Sequence, residues 1–469
     1  MTLVTWNKRF SSYAKTFFET EGIPGGAVTI VQGGEVVVAE GFGVRDAAAE
    51  KAVTSNTIFG IASLTKSFTA LALLLLEAAG KLELNDSLRT YLPTFHYPGL
   101  GKDDGGDVTL LHAASHTSGV PPLPGLSYAL WPSQLGDPGE AYLRKYPEGV
   151  PTLQTTADLL AFLAAQTAPP VGLPGQVMSY QNDVYALLGA VIETASGVSY
   201  AKFVEEQILA PLEMTRLTFD PEAAETLGDV TTLYAEDPQG RIYASPQWEH
   251  APAHLATGFL KASAHDLGRY LSFLLEPTPA LQISPERLRQ LWTPCAWCAP
   301  GTAYGLGLMV RPDYHGVTLV RHGGGLKGVS SHLGFVPEHK FGVVVLSNIE
   351  DKPVSRLWLA AVNMALGLEP ETSLYTLPTQ EASLIARQSF AGSYRSSEPW
   401  GKFEVRLEDE TLYARSGEDL DEAGRLWLAP NGEFFVGSGP HYDGGRWLLD
   451  NMGKVRGVQL GMRFLARQT

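Results

Sequence analysis

The sequence predicts an α+β protein: an antiparallel sheet flanked by helices, a mostly helical region set against it, and a small C-terminal antiparallel β-barrel. Two observations predict this. Strand-like runs lie near both ends of the first 376 residues with helical patterns between them, so the N- and C-terminal parts of one sheet must meet. Beyond Gln380 the chain is all short alternating runs separated by turn residues, which is the pattern of a small barrel or sandwich. At 469 residues the chain is too long for one ordinary core. Domains at 1–376 and 381–469 are expected, joined by a linker at Leu377 to Gln380.

In chain order, Asn7 to Glu21 reads as an amphipathic helix. Gly26 to Val31 and Glu35 to Ala39 are β-rich runs joined through Gly33-Gly34, a hairpin signal. Gly41-Phe42-Gly43 lacks the third glycine of a dinucleotide loop and is expected to be a turn leaving the hairpin. From Ser63 to about Ser272 the pattern is mostly helical with long irregular inserts. One of these, Pro121 to Pro151, carries Tyr128, Trp131, Tyr142 and Tyr146 and suggests a lid or wall over a cleft. Strands are expected at Val317 to Val320, Ser331 to Phe335 and Phe341 to Leu346, then a helix over Pro353 to Leu366. The barrel strands are read at Phe403 to Leu407, Thr411 to Ala414, Arg425 to Leu428, Glu433 to Val436, Arg446 to Leu449, Val455 to Leu460 and Arg463 to Ala466. A loop holding Gly437 to Gly439, His441 and Tyr442 is expected to reach the cleft.

Charge and composition exclude several classes. The net charge is −15 with no basic block, which counts against nucleic acid or an anionic membrane as partner. Ala70 to Leu76 is too short to span a bilayer, so no transmembrane segment is expected. Met1 to Arg9 has no apolar signal region, which predicts a cytoplasmic protein. Cys295 and Cys298 form one C-x-x-C without the further ligands of a zinc site, so a loop with two thiols or a local disulfide is expected. No cofactor or metal is expected.

Chemistry concentrates at Ser63-Leu64-Thr65-Lys66. A serine and a lysine three apart on a helix share one face, which puts a hydroxyl nucleophile beside an amine able to take its proton. S-x-x-K also occurs at Ser12 to Lys15 and Ser199 to Lys202, where charged neighbours mark surface helices. Only the Ser63 copy opens a helix that is apolar nearly all round, and a buried amine beside a hydroxyl needs a reason. Tyr180-Gln181-Asn182 is the only Y-x-N; its phenol can relay a proton and its amide can bind both the lysine and a substrate carbonyl. Arg321-His322-Gly323-Gly324-Gly325 follows a strand, and its glycines let backbone approach a ligand. A second H-x-G, at His332, is read as structural, and His112 and His116 are read as a helix end packing on a turn. No G-x-S-x-G, H-E-x-x-H or P-loop is present.

In this order the motifs resemble the class C-like, β-lactamase-related serine hydrolases of the penicillin-binding-protein superfamily, which include D-aminopeptidases, D-Ala carboxypeptidase-like proteins and family VIII esterases. The resemblance spans about residues 10 to 370 and includes Ile58 to Lys66, Leu110 to Gly119 and Pro174 to Gly189. It implies a β-lactamase/transpeptidase-like fold, with the last ninety residues similar to an appended lipocalin-like barrel. It implies Ser63 as nucleophile, Lys66 as its proton partner and Tyr180 as second acid or base. Asn182, His322, Gly324 and Gly325 would bind substrate, with the N–H groups of Ser63 and Gly325 receiving the oxyanion. His322-Gly323-Gly324 stands where true β-lactamases carry Lys-Thr-Gly, which removes a fixed cation. Acyl-enzyme hydrolysis of a small amide or ester, such as a D-amino-acid peptide, is therefore expected ahead of β-lactam turnover. A β-lactam sensor and a non-catalytic scaffold are the alternatives. The barrel is expected to shape access or an oligomer contact rather than supply chemistry.

Overall fold

Phe341–Ser347 is buried at every position, and its sequence explains why: a strand covered on both faces must be apolar throughout rather than alternating. Val343 and Val345 point to one face, against the N-terminal helix Leu3–Thr20 and the late helix Val354–Ala365. Val344 and Leu346 point to the other, into the core shared with Ala264–Leu275 and the helical region. This computed structural model describes residues 3–101, 106–142, 152–397, 401–416, 424–437 and 442–468.

Phe341–Ser347 is also where the chain ends meet. It pairs antiparallel with Gly25–Gln32, from Gly26 opposite Ser347 to Gln32 opposite Phe341. The full sheet has nine antiparallel strands in the order Lys51–Ala52, Glu35–Asp46, Gly25–Gln32, Phe341–Ser347, Val329–Val336, Val317–Leu326, Met309–Tyr314, Thr302–Tyr304 and Ala296–Ala299. The last three strands carry no strong alternation and were not expected from sequence. Of the two expectations for Cys295 and Cys298 the pair of free thiols holds, with Cys295 just before the Ala296–Ala299 edge strand and Cys298 buried within it rather than in a loop. Gly41 and Gly43 correct a second expectation, since the strand runs through them to Asp46. Gly43 has φ +66°, and a Cβ on Gly41 would lie 2.2 Å from the Val53 carbonyl oxygen. Glycine here lets a neighbouring segment close in on a strand rather than ending it.

The C-terminal segment closes into an eight-stranded antiparallel barrel from Gly392–Arg395 to Arg463–Arg467. Alternate side chains such as Phe403, Val405, Leu412, Leu426, Phe434 and Val458 fill its core. The helix Leu384–Phe390 and the first strand, Gly392–Arg395, were not visible in the alternation pattern; Phe390 plugs the barrel core.

Candidate active site

Ser63 lies in a short 3-10 turn, Ala62–Leu64, that feeds directly into the helix Thr65–Ala78. Eleven residues of that helix are buried, as its all-round apolar pattern requires. The turn is fixed from three sides. Ser331 Oγ donates to the Ile61 carbonyl at 2.8 Å, Thr65 Oγ1 donates to the Ala62 carbonyl at 2.8 Å, and the Leu260 N–H donates to Thr65 Oγ1 at 3.2 Å. Ala62 takes a φ of +46°, a left-handed conformation that costs an alanine about 1–3 kcal/mol and persists only where packing over-determines it.

Lys66 Nζ is 3.2 Å from Ser63 Oγ and donates to the Thr257 carbonyl at 2.7 Å. The side chain is fully buried with no carboxylate partner among the described residues. Burial first, and the nearby Arg463 charge second, push its pKa well below the usual lysine value. A neutral amine in this position keeps one N–H on the Thr257 carbonyl and turns its lone pair to the Ser63 hydroxyl. Asn182, expected to hold the lysine, does not; it opens the helix Asn182–Ser196, and its Oδ1 is buried without a hydrogen-bond partner.

Tyr180 sits beside this pair, its ring 4.9 Å from Lys66 Nζ. Burial raises its pKa to about 12, against the lowering effects of the Ser63 hydroxyl and Arg463. Its hydroxyl makes no hydrogen bond of regular geometry. Two carriers therefore share one site with pKa values moved in opposite directions, the amine toward its base form and the phenol held as an acid.

Val317–Leu326 forms the other wall, and the three glycines lie inside this strand rather than after it. A Cβ on Gly324 would lie 2.6 Å from the Ile61 carbonyl oxygen and 2.9 Å from Ser63 N, so only glycine lets strand and nucleophile turn touch. Gly325 has open space where its Cβ would be. His322 is buried beneath the cleft, with Nδ1 2.6 Å from the Gly323 carbonyl and Nε2 3.0 Å from Tyr304 Oη. Nδ1–H thus donates to the carbonyl and Tyr304 donates to Nε2. Burial, with Lys66 as the next cause, lowers the His322 pKa to about 3, so the ring is a neutral strut.

Sequence reasoning missed several neighbours. His116 is buried behind Tyr180 with ring centroids 4.1 Å apart, and its Nδ1 accepts from the Gln181 N–H at 3.2 Å. Its assignment to a helix end on a turn is corrected in part: it does leave a turn, with φ +57°, but directly beneath the phenol. Asp183 and His254, both fully buried, meet at 2.9 Å and tie the start of helix Asn182–Ser196 to the turn bearing Thr257. The largest omission is in the barrel. The turn Leu460 to Arg463 enters the cleft, Tyr180 N–H donates to the Met462 carbonyl at 2.7 Å, and the Arg463 guanidinium lies 4.9 Å from the Tyr180 ring. The barrel thus shapes the cleft directly, through a turn whose approach to Tyr180 the sequence did not reveal. His441, part of the loop expected in this place, falls outside the described residues together with Ser438 and Gly439; Tyr146 of the Pro121 to Pro151 insert is likewise outside them. Ser63 and Tyr180 open into a cavity of about 640 Å³ between sheet and barrel.

A family model described as Beta-lactamase matches residues 10–364, which is three-quarters of the chain. The chain belongs to the beta-lactamase family. Among curated relatives of this family member, Penicillin-binding protein 4* of Bacillus subtilis is 27% identical over 92% of both chains. Protein flp of Staphylococcus aureus is 26% identical over 71% of this chain and 61% of its own. The solved octameric penicillin-binding protein homologue from Pyrococcus abyssi superposes with a TM-score of 0.69 at 28% identity, covering 98% of this chain and 99% of that one. That superposition extends through the barrel, so the family member's two parts recur together in a relative. Its fold is the β-lactamase/transpeptidase-like one that the Ser63, Tyr180 and His322 motifs implied. Among the described residues no single helix is long and apolar enough to cross a membrane.

Proposed function

We propose that this protein is a serine hydrolase that forms an acyl-enzyme at Ser63 on an ester or amide whose leaving group carries a carboxylate. The observation that supports this most directly is the fully buried Lys66 amine 3.2 Å from Ser63 Oγ, depressed toward its neutral form. Membership in a family of serine hydrolases supports the general class.

In this reading Ser63 Oγ attacks the substrate carbonyl while Lys66 Nζ takes its proton. The N–H groups of Ser63 and Gly325 receive the developing oxyanion. Tyr180, still protonated at neutral pH, gives its proton to the departing amine or alkoxide, and the ammonium of Lys66 then restores the phenol. Arg463, beside Tyr180, holds the leaving group's carboxylate and steadies the transient phenolate. Water repeats the sequence to release the acyl group. A barrel arginine thus supplies the cation that the His322-Gly323-Gly324 strand lacks.

The same cation favours a second reading, β-lactam acylation, because an opened bicyclic β-lactam keeps a carboxylate on the carbon next to its leaving nitrogen. Fluorophosphonate labelling of Ser63, followed by turnover of chromogenic esters, D-Ala anilide and nitrocefin, tests both. Labelling with ester or amide turnover supports the hydrolase. Nitrocefin turnover above ester turnover would favour the second reading, labelling without turnover a sensor, and no labelling a scaffold. The described octameric state of the Pyrococcus abyssi relative supports a homo-oligomer here, which light scattering measures directly.

A further inference from the structure

Arg321 precedes the His322 strut, and the mechanism leaves it unused. Its side chain leaves the strand on the face of helix Val354–Ala365: a Cβ on the cross-strand Gly334 would lie 2.8 Å from Arg321 Cβ and 2.6 Å from the Trp358 ring. Arg321 borders the catalytic cleft and two further cavities, of about 340 and 350 Å³. One is walled by Ser355, Tyr375 and Asp443, the other by Met309, Ser416, Leu460 and Met462 at the barrel mouth. Met309, Ser416, Leu460 and Met462 also line the cleft with Ser63, so the barrel-mouth cavity continues the catalytic one.

Among the described residues Arg321 has no ion pair, and its Nε is buried without a hydrogen-bond partner. Arg311 and Arg356 share the unpartnered Nε, but their terminal nitrogens are engaged: Arg356 pairs with Glu21, and Arg311 donates to the Pro300 carbonyl. Asp443, the acid on the same walls, is itself pushed toward its neutral form by burial. A guanidinium has five fixed N–H donors, and leaving a buried one without an acceptor is destabilising. An arrangement of this kind is completed by a planar anion that the fork can grip.

Direction follows from the strand. Gly324 backs onto Ser63 N, and three residues of extended chain place Arg321 about 10 Å along the strand from it. Tyr180 lies on the same side, its ring 6.1 Å from that of His322. Arg321 and Arg463 thus line one cleft from two sides, Arg321 from the strand and Arg463 from the barrel turn.

We infer that Arg321 forms a second anion subsite that receives the side-chain carboxylate of an acidic residue in the leaving group, whose α-carboxylate rests on Arg463. This rests on the leaving-group reading above. The specificity it implies is for a peptide or depsipeptide ending in a glutamate-like residue. The two cations act at different points of one ligand, so they separate by experiment.

Calorimetric binding of D- and L-glutamate, against D- and L-glutamine, to the full-length protein tests it without requiring turnover. The wild type is expected to bind one hand of glutamate about tenfold or more tightly than its amide, the worth of one charge-assisted bidentate pair. Arg321→Gln should erase that preference, and Arg321→Lys should keep part of it, which also controls for folding. Arg463→Gln should weaken glutamate and glutamine alike. Equal affinity for glutamate and glutamine in the wild type, no binding of either, or a preference that survives Arg321→Gln overturns the subsite. If instead Arg463→Gln leaves glutamine binding intact while Arg321→Gln abolishes the preference, the subsite stands and the role given to Arg463 fails.

Discussion

Two cavities of this molecule have opposite chemistry. The Ser63 cleft is bordered by Arg321, Lys402 and Arg463 and, among the described residues, by no carboxylate. The second, of about 400 Å³, is bordered by Asp137, Glu140, Glu236, Asp237, Glu249 and Glu350 with Lys327 as its one cation among the described residues. In a chain of net charge −15, a cleft whose described residues include three cations and no acid is not what average composition would place around a nucleophile. Segregation of this kind focuses the field of each cavity, attracting anions to one and repelling them from the other. The acidic cavity uses its charges internally. Lys327 Nζ reaches Asp137 at 2.9 Å, Gln134 Nε2 donates to Glu249, and the Lys327 N–H donates to Glu249 at 3.2 Å. The cleft places its cations beside Ser63 and Tyr180.

The comparison breaks most completely at the nucleophile. Ser63→Ala should lower kcat/KM by about 10⁴-fold or more with the melting temperature preserved, and should remove fluorophosphonate labelling. The same change at Ser12 or Ser199, both exposed, should leave activity intact. Lys66→Ala and Tyr180→Phe should each cost about 10²- to 10⁴-fold, and the double variant little more than the worse single one, because they act as one proton-transfer unit. Losses that multiply would show two independent roles.

Removing the cleft's charge is the next largest effect. Arg463→Gln should raise KM for substrates with a carboxylated leaving group by about 10- to 100-fold and for neutral esters much less, which steady-state kinetics on matched substrates measures. It should also move the pH profile. A base must be unprotonated, so kcat/KM rises as pH climbs through the depressed Lys66 pKa; an acid must be protonated, so the fall waits for the Tyr180 value of about 12. Arg463 lowers both pKa values, so its loss should shift the rising limb to higher pH. A limb that stays put would remove Arg463 from the site's electrostatics.

The smallest effect lies in the acidic cavity. Burial, and then the Asp351 and Glu249 charges, raise the Glu350 pKa to about 7. The folded state then binds this proton more tightly than the unfolded chain, so its contribution is present below the ordinary carboxylate range and is lost as pH rises through about 7. Glu350→Gln should therefore raise the melting temperature at pH 8 relative to wild type, with little difference at pH 4 and no change in ester hydrolysis. A lower melting temperature at pH 8 would mean that Glu350 is bound by a cation in that cavity.

Much of this was legible in the linear chain because it depends on neighbours close in sequence. One turn of helix brings Ser63 and Lys66 together wherever that helix lies. An unbroken β-rich apolar run marked Phe341–Ser347, and alternation marked the barrel strands, since period two is a property of the backbone itself. The glycines of Val317–Leu326 could be recognised as a place for close approach, though not what approaches: Ile61 and Ser63. Tertiary structure alone decided the rest. Thr257 replaces Asn182 as the partner of Lys66 because a carbonyl brought in from 191 residues away reaches the amine first. His116 supports Tyr180 through a contact across 64 positions, and an edge strand turned Cys298 from a loop thiol into a buried one. Arg463 lies nearly 400 residues from Lys66, in a segment whose alternation speaks only of its own barrel. Its role depends on how the barrel docks on the sheet, and no local pattern encodes a docking; burial then gives that one charge its influence over both Lys66 and Tyr180.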